Sequence, residues 1–195
     1  MRKDIITSFL AIVVFTLLCG IVYPLAVTGV SQVAFNGSAN GSMIKQGGNV
    51  VGSELIAQPF TGRADYFQPR PSQTEYNPSA TAFNNAGPNN TDTRDLIAEN
   101  AAAYLKLEGR FNPGLTLAGI PVDAVAGSAS GVDPHISEAN AQIQGHRVAI
   151  ARRLPLASVN RLIDANTDGR SLGLFGEPGV NVLKLNLALD KESSR

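Results

Sequence analysis

The first thirty residues carry one unbroken apolar run, and nothing later in the chain repeats it. Residues 5–28 read IITSFLAIVVFTLLCGIVYPLAVT, with Asp4 the last charge before them and Lys45 the first after. A helix over 5–27 would be about 34 Å long, enough to cross a hydrocarbon core of about 30 Å with some tilt. Thr7, Ser8 and Thr16 can bond back to their own helix, Tyr23 suits an interface, and Pro24 bends or ends the span. Arg2 and Lys3 keep the N-terminus in the cytoplasm, which puts everything after Val30 on the other side. Three rival readings are weaker. A signal peptide has a shorter apolar region and an A-x-A-like site, for which Val27-x-Gly29 is a poor match. A lipoprotein signal on Cys19 lacks the small residue before the cysteine. A buried soluble helix would be shorter and carry a polar face.

Beyond the span the pattern changes. Residues 31–48 are rich in Gly, Ser and Asn and read as a flexible tether. Residues 49–58 hold two short apolar pieces, Val50-Val51 and Leu55-Ile56, which predict a strand or strand pair. Residues 59–93 are too long for a plain connector and carry Phe60, Tyr66, Phe67, Tyr76 and Phe83 without helical or strand period. Such a loop packs on its own core or on a partner. In the second case Tyr66, Phe67 and Arg70 are the candidate anchors, because aromatic and arginine side chains dominate interface energy.

Three helices are predicted. One runs over 92–108, with Leu96, Asn100, Ala103 and Leu107 on one face, Thr91 or Asp92 as cap and Gly109 as stop. The next runs over 137–154, with Ser137 as N-cap, Ala139, Ile143, Ile150 and Leu154 inward, and Pro155 as stop. The third covers 156–165. Residues 121–126 suggest a short strand. In 180–190 Leu183, Leu185, Leu187 and Leu189 alternate with Lys184, Asn186, Ala188 and Asp190, which predicts a half-buried strand. The expected fold is therefore α+β. One N-terminal transmembrane helix (1–30) and a tether (31–48) precede a compact extracytoplasmic α+β domain (49–195).

Composition removes several functions. Sixteen basic residues balance sixteen acidic ones, so no net field draws the chain to nucleic acid. Cys19, inside the span, is the only cysteine, which excludes a disulfide framework and a cysteine nucleophile from the soluble part. The densest polar stretch, GSASGVDPHIS at 127–137, fails the enzyme tests. Ala129 stands where a G-x-S-x-G elbow needs serine, and Val132-Asp133 replaces the Lys-Ser/Thr of a P-loop. Asp133 and His135 lack a second ligand pair for a metal. A triad of Ser128 or Ser130 with His135 and Asp123 is no more than any chain of this size offers. No DKTGT phosphorylation sequence appears. No catalytic or metal-binding residue is expected.

The residues do match a family. From the N-terminal span onward come Gly52-Ser53 with Leu55-Ile56 and Gln58, then Tyr66-Phe67 with Arg70-Pro71-Ser72. Gly87-Pro88 with Asn90 and Pro121-Val122-Asp123 follow, then Ser130-Gly131-x-Asp133-Pro134-His135-Ile136-Ser137 and Arg147-Val148-Ala149 with Ala151-Arg152. Last is Gly176-Glu177-Pro178 with Asn181-Val182-Leu183. The order and coverage resemble the C subunit of the Kdp-type potassium-transporting P-type ATPase. Ala57, Gln73, Ala129 and Gly179 depart from the usual pattern. The resemblance implies a non-catalytic accessory subunit in the bacterial cytoplasmic (inner) membrane. Its implied partners are a channel-like potassium-translocating subunit, an ATP-hydrolysing P-type subunit, a small accessory membrane subunit and membrane lipid.

The resemblance also implies a role in assembly and as a catalytic chaperone that raises the ATP affinity of the hydrolysing subunit. ATP and potassium belong to the complex, with no cofactor bound directly by this chain. Family-motif or partner-contact candidates are Tyr66, Phe67, Arg70, Asp133, Pro134, His135, Ser137, Glu177 and Asn181. The alternatives are a membrane-tethered solute-binding or cell-wall module and an anchored hydrolase. An external domain meets no ATP, so any effect on ATP affinity has to run through membrane helices.

A reporter fused after Arg195 is expected to be active only outside the cytoplasm, with residues 1–28 retained. A shortened soluble form beginning near Val30 would overturn the anchor.

Overall fold

The structure, a computed structural model, describes residues 1–80, 85–87 and 89–193. Phe83 and Pro88 lie outside the described residues. The chain divides into two compact units, Met1–Met43 and Ile44–Arg195.

The first unit is dominated by one long helix, Arg2–Ala34, built from α1 (Arg2–Leu17), a wide π turn (Leu18–Val22) and α2 (Tyr23–Ala34). Among the described residues it is the one helix long and apolar enough to cross a membrane, and none of its residues is buried. The wide turn falls just before Pro24. Proline has no N–H to donate and its ring crowds the carbonyl four residues back, at Gly20, so the backbone opens there. The helix runs past position 28 to Ala34, and α3 (Asn36–Ala39) follows. The stretch 31–48 thus holds the end of α2, all of α3 and β1 (Met43–Gln46). β1 pairs with β2 (Asn49–Ser53) across Gly47-Gly48, whose φ values of 58° and 87° suit a two-residue hairpin turn that side chains resist.

The second unit is α+β. A three-stranded antiparallel sheet has the order β3-β5-β4, from His135–Ile136, Gly179–Asn181 and Thr167–Asp168. Ile136 stands opposite Val180, and Val180 opposite Thr167. Around it lie α4 (Thr91–Glu108), α5 (Glu138–Arg152), α6 (Leu156–Ala165) and α7 (Val182–Ser193). The core joins Ile136 and Val180 of the sheet to Val148 of α5, Val159 and Ile163 of α6, Leu185 and Leu189 of α7, and Phe67 of the long loop.

Caps account for the helix starts. Ser137 Oγ accepts from Asn140 N at 3.1 Å, as expected. For α4 the cap is Asn90, whose Oδ1 accepts from Thr93 N at 2.9 Å, in place of Thr91 or Asp92. Residues 122–124, expected in a strand, form a single 3-10 turn.

Two expectations fail for one reason. The strand predicted over 180–190 is a strand only to Asn181; Val182 then opens a helix, with Asn181 Oδ1 capping Lys184 N at 3.1 Å. Its buried set is Val182, Leu183, Leu185, Asn186 and Leu189, in which 182, 185, 186 and 189 keep a helical spacing that includes a fully buried asparagine. On α5 the predicted inward face is also rotated away: Ile150 is 64% exposed and Ala139 is exposed. Asn140, Ala141, Gln144, Arg147 and Val148 face in instead. In both helices buried polar side chains define the inner face, and a hydrophobic pattern cannot register them.

Those side chains hold the long loop. No helix or strand occurs in it among the described residues between β2 and α4. Its backbone needs partners when buried. Asn186 supplies a two-sided pair to Phe67, accepting from its N–H and donating to its carbonyl, both at 2.9 Å. Gln144 does the same for Gln68 at 2.8 and 3.0 Å. Arg147, fully buried, donates to the carbonyls of Ala64 (2.6 Å) and Tyr66 (2.9 Å), to Gln144, and to Glu108 at 2.8 Å. Burial pushes the Glu108 carboxyl up, and Arg147 offsets part of that rise.

Removing one member of a buried pair leaves the other charge uncompensated. Arg147→Ala is expected to lower the stability of the full chain in detergent by about 3–5 kcal/mol, read from urea midpoints. Arg147→Lys should recover little of it, lacking the planar fork. A loss below about 1 kcal/mol for Arg147→Ala would dismiss this staple.

Candidate functional site

The candidate residues divide into two groups in space. Arg70, Asp133, His135, Ser137 and Glu177 line one cleft, together with Asp123, Asp168 and Gly179. Tyr66, Phe67, Pro134 and Asn181 do not.

The cleft is built where β3 leads into α5. Asp133 Oδ1 accepts from the backbone N of His135 at 2.9 Å, and its Oδ2 accepts from the Arg70 guanidinium at 3.1 Å. His135 Nδ1 lies 3.7 Å from Asp133, and Nε2 lies 3.1 Å from Asp168 Oδ2 on β4. The ring therefore ties the turn before α5 to the far edge strand, across β5. Asp123 Oδ2 accepts from Ser137 N and from Asn140 Nδ2, both at 2.9 Å. Arg70 reaches further, to the carbonyls of Ala126 and Gly127. The small residues at 127–131 let this strip lie against the loop. A side chain on Gly127 would stand 3.2 Å from the Pro71 carbonyl, and Ser72 Oγ donates to Gly131 O at 2.6 Å.

Electrostatics follows from the pairing. Hydrogen bonding to Asp133 raises the His135 pKa; burial opposes it, and Asp168 adds to the rise. For Asp133 burial pushes upward, but the hydrogen bonds from His135 and the Arg70 charge prevail and hold it below the usual carboxylate value. No Ser–His–Asp relay is assembled among the described residues. Ser128 and Ser130 lie within reach of each other, and Ser130 Oγ accepts from Val132 N. Asp123 serves the backbone and Asn140. No group of three or more His, Cys, Asp and Glu is placed to hold a metal ion among the described residues.

The other candidates, and Glu177 at the rim of the cleft, make their contacts within this domain. Phe67 is fully buried and cannot reach a partner, which corrects its reading as an interface anchor. Tyr66 is half-buried, stacked on Phe60, flanked by Arg63 and Arg152, and donates to Asp190 at 2.9 Å. The buried Pro134 offers its carbonyl to Val182 N, and Asn181 donates to Glu54 O besides capping α7. Glu177, exposed, pairs with Arg170 at 2.7 Å.

The family model described as "K+-transporting ATPase, c chain" matches residues 5–191. Potassium-transporting ATPase KdpC subunits from Mycobacterium tuberculosis (strain H37Rv) and Koribacter versatilis are 48% and 45% identical. They cover 98% and 97% of this chain and 100% and 95% of their own. The one from Rhodospirillum rubrum is 50% identical over 90% of this chain and 89% of its own. The chain belongs to the KdpC family.

Within this KdpC-family chain the family motifs acquire physical roles. The Asp-Pro-His-Ile-Ser piece forms the turn, edge strand and cap that start α5. Arg147 of the Arg-Val-Ala piece is the loop staple, and Asn181 of the Val-Asn-Val-Leu piece is the α7 cap. Sequence reading missed Glu108, Gln144, Asn186 and Asp168 as partners. Their bonds to Arg147, the loop backbone and His135 span 33 residues or more for Asp168 and Glu108, and more than 75 for the two amides. No local signal announces such pairs.

The raised His135 pKa makes a pH-dependent contribution. The group binds its proton more tightly folded than unfolded, so its stabilisation is complete below the ordinary value near 6.5. It is lost as pH rises through the folded value. The stability gap between wild type and His135→Gln, measured by thermal unfolding from pH 5 to 9, is therefore expected to shrink with rising pH. A gap independent of pH would remove the charge from this clasp.

Proposed function

We propose that this chain is an anchored subunit that shapes one state of a potassium pump from outside the cytoplasm, without chemistry of its own. As a KdpC-family chain it is an accessory subunit of a potassium-transporting ATPase, and catalysis lies in another subunit. The observation that carries the reading is the match over nearly the whole chain and nearly the whole of its relatives. A tethered solute-binding or cell-wall module finds no support in the comparisons.

The finer parts of the reading rest on charge and topology. In our reading the helix Arg2–Ala34 crosses the bacterial inner membrane with Arg2 and Lys3 on the cytoplasmic side, and residues 49–195 stand outside. The channel-like potassium subunit, the ATP-hydrolysing P-type subunit and the small membrane subunit are its partners. An external domain changes pump behaviour only by touching one conformational state more favourably than another. Its effect on ATP affinity is then a coupling free energy, carried through helices that cross the membrane. The side of the cleft that carries Arg70 and His135 is cross-linked by Asp133 and Asp168, which supports its transmitting such a preference.

Cells that express the other subunits without this chain are expected to fail under potassium limitation, and the wild-type chain to restore growth. The same chain should co-purify with the pump in mild detergent and hydrolyse no ATP alone. Normal growth and potassium-stimulated ATPase activity in its absence would sink the reading.

A further inference from the structure

The connection between β4 and β5 presents an apolar tip that the domain itself does not use. Leu172, Leu174 and Phe175 are 87%, 76% and 66% exposed, and Leu172 is the most exposed large apolar side chain of its unit among the described residues. A tip of this kind would be unremarkable if it were a loose loop, but its backbone is held. Ser171 and Phe175 form a bridge, with Ser171 N donating to Phe175 O at 2.8 Å and Phe175 N returning to Ser171 O at 3.0 Å. Gly173 N and Leu174 N close back on Arg170 O and Ser171 O. Below the tip, Arg170 donates to both oxygens of Glu177, at 2.9 and 2.7 Å, and clamps the two arms. Leu172 has φ 52°, a left-handed conformation that leucine rarely adopts, followed by Gly173 at 74°. The fold thus holds a leucine in an uncommon conformation at a tip where it gains no contact within the core.

We propose that this tip is a preorganised anchor that seats in an apolar pocket on another subunit of the ATPase. The proposal rests on the reading of the chain as a pump subunit. Large apolar side chains on an ordered backbone suit the centre of a protein interface, because little freedom is lost on binding. The charges at its base argue against a lipid surface. Arg170 is the only basic residue in 167–179, and Glu177 holds it. Asp168 and Glu177, 60% and 81% exposed, are held by His135 and Arg170, so the base of the tip offers no unpaired cation to draw it to anionic headgroups. An apolar pocket on a protein partner, which leaves these two ion pairs at its edge, is the complementary surface. Arg170 and Glu177 are positioning residues: their ion pair holds the arms that present Leu174 and Phe175.

The test uses the full complex, expressed with the wild-type chain or with Leu174→Asp or Phe175→Asp, and solubilised in mild detergent. Each variant is expected to reduce co-purification of this chain at least tenfold, while thermal unfolding of the purified chain stays unchanged. In a Cys19→Ser background, Phe175→Cys carrying a benzophenone label is expected to crosslink to another subunit. Variants that assemble and pump like wild type overturn the proposal. So does a label captured only by lipid or by a second copy of this chain. Failure of the wild-type chain itself to co-purify would instead strike at the pump-subunit reading, so the two failures are separable.

Discussion

The buried guanidinium of Arg147 is the constraint on which the domain depends. The segment 63–68 crosses the core without helix or strand, and its backbone groups would otherwise lie unpaired away from water. Arg147 accepts that task with carbonyl after carbonyl, and Gln144 and Asn186 complete it on either side. Phe67, placed by these bonds, then fills the middle of the core. An apolar residue at position 147 could match the burial but could not hold the loop in one place. The charge is tolerable because Glu108 faces it and four further polar partners surround it.

This arrangement explains the division of labour in the molecule. The sheet is small, with strands of two and three residues, and could not organise a domain alone. Helices α5, α6 and α7 supply the apolar mass, and polar side chains on α5 and α7 do the aligning that a larger sheet would do. The cleft at the start of α5 sits on the same frame. Its aspartates and histidine are engaged with backbone, arginine and each other, so the residues that look most like chemistry hold geometry. For an accessory subunit rigidity is the useful property, since a partner responds to a surface only if that surface keeps its shape.

The two kinds of information are visible in particular residues. The chain alone determined a helix long and apolar enough to cross a membrane, because residues 5–28 form one uncharged, mostly apolar run. It determined α4, α5 and α6 and the Ser137 cap, which depend on neighbours within four positions. The family was legible as well, through motif order along the chain. What the tertiary structure decided was which way α5 faces, that 182–193 coils into a helix, and that Phe67 is interior. Leucines at every second position fit a strand by alternation and a helix by 185-to-189 spacing equally well. The choice fell to Asn186, whose amide finds the Phe67 backbone 119 residues away. Periodicity reports only the apolar half of an inner face. When the other half is built from arginine and amides, its energy comes from partners that only the folded chain brings near.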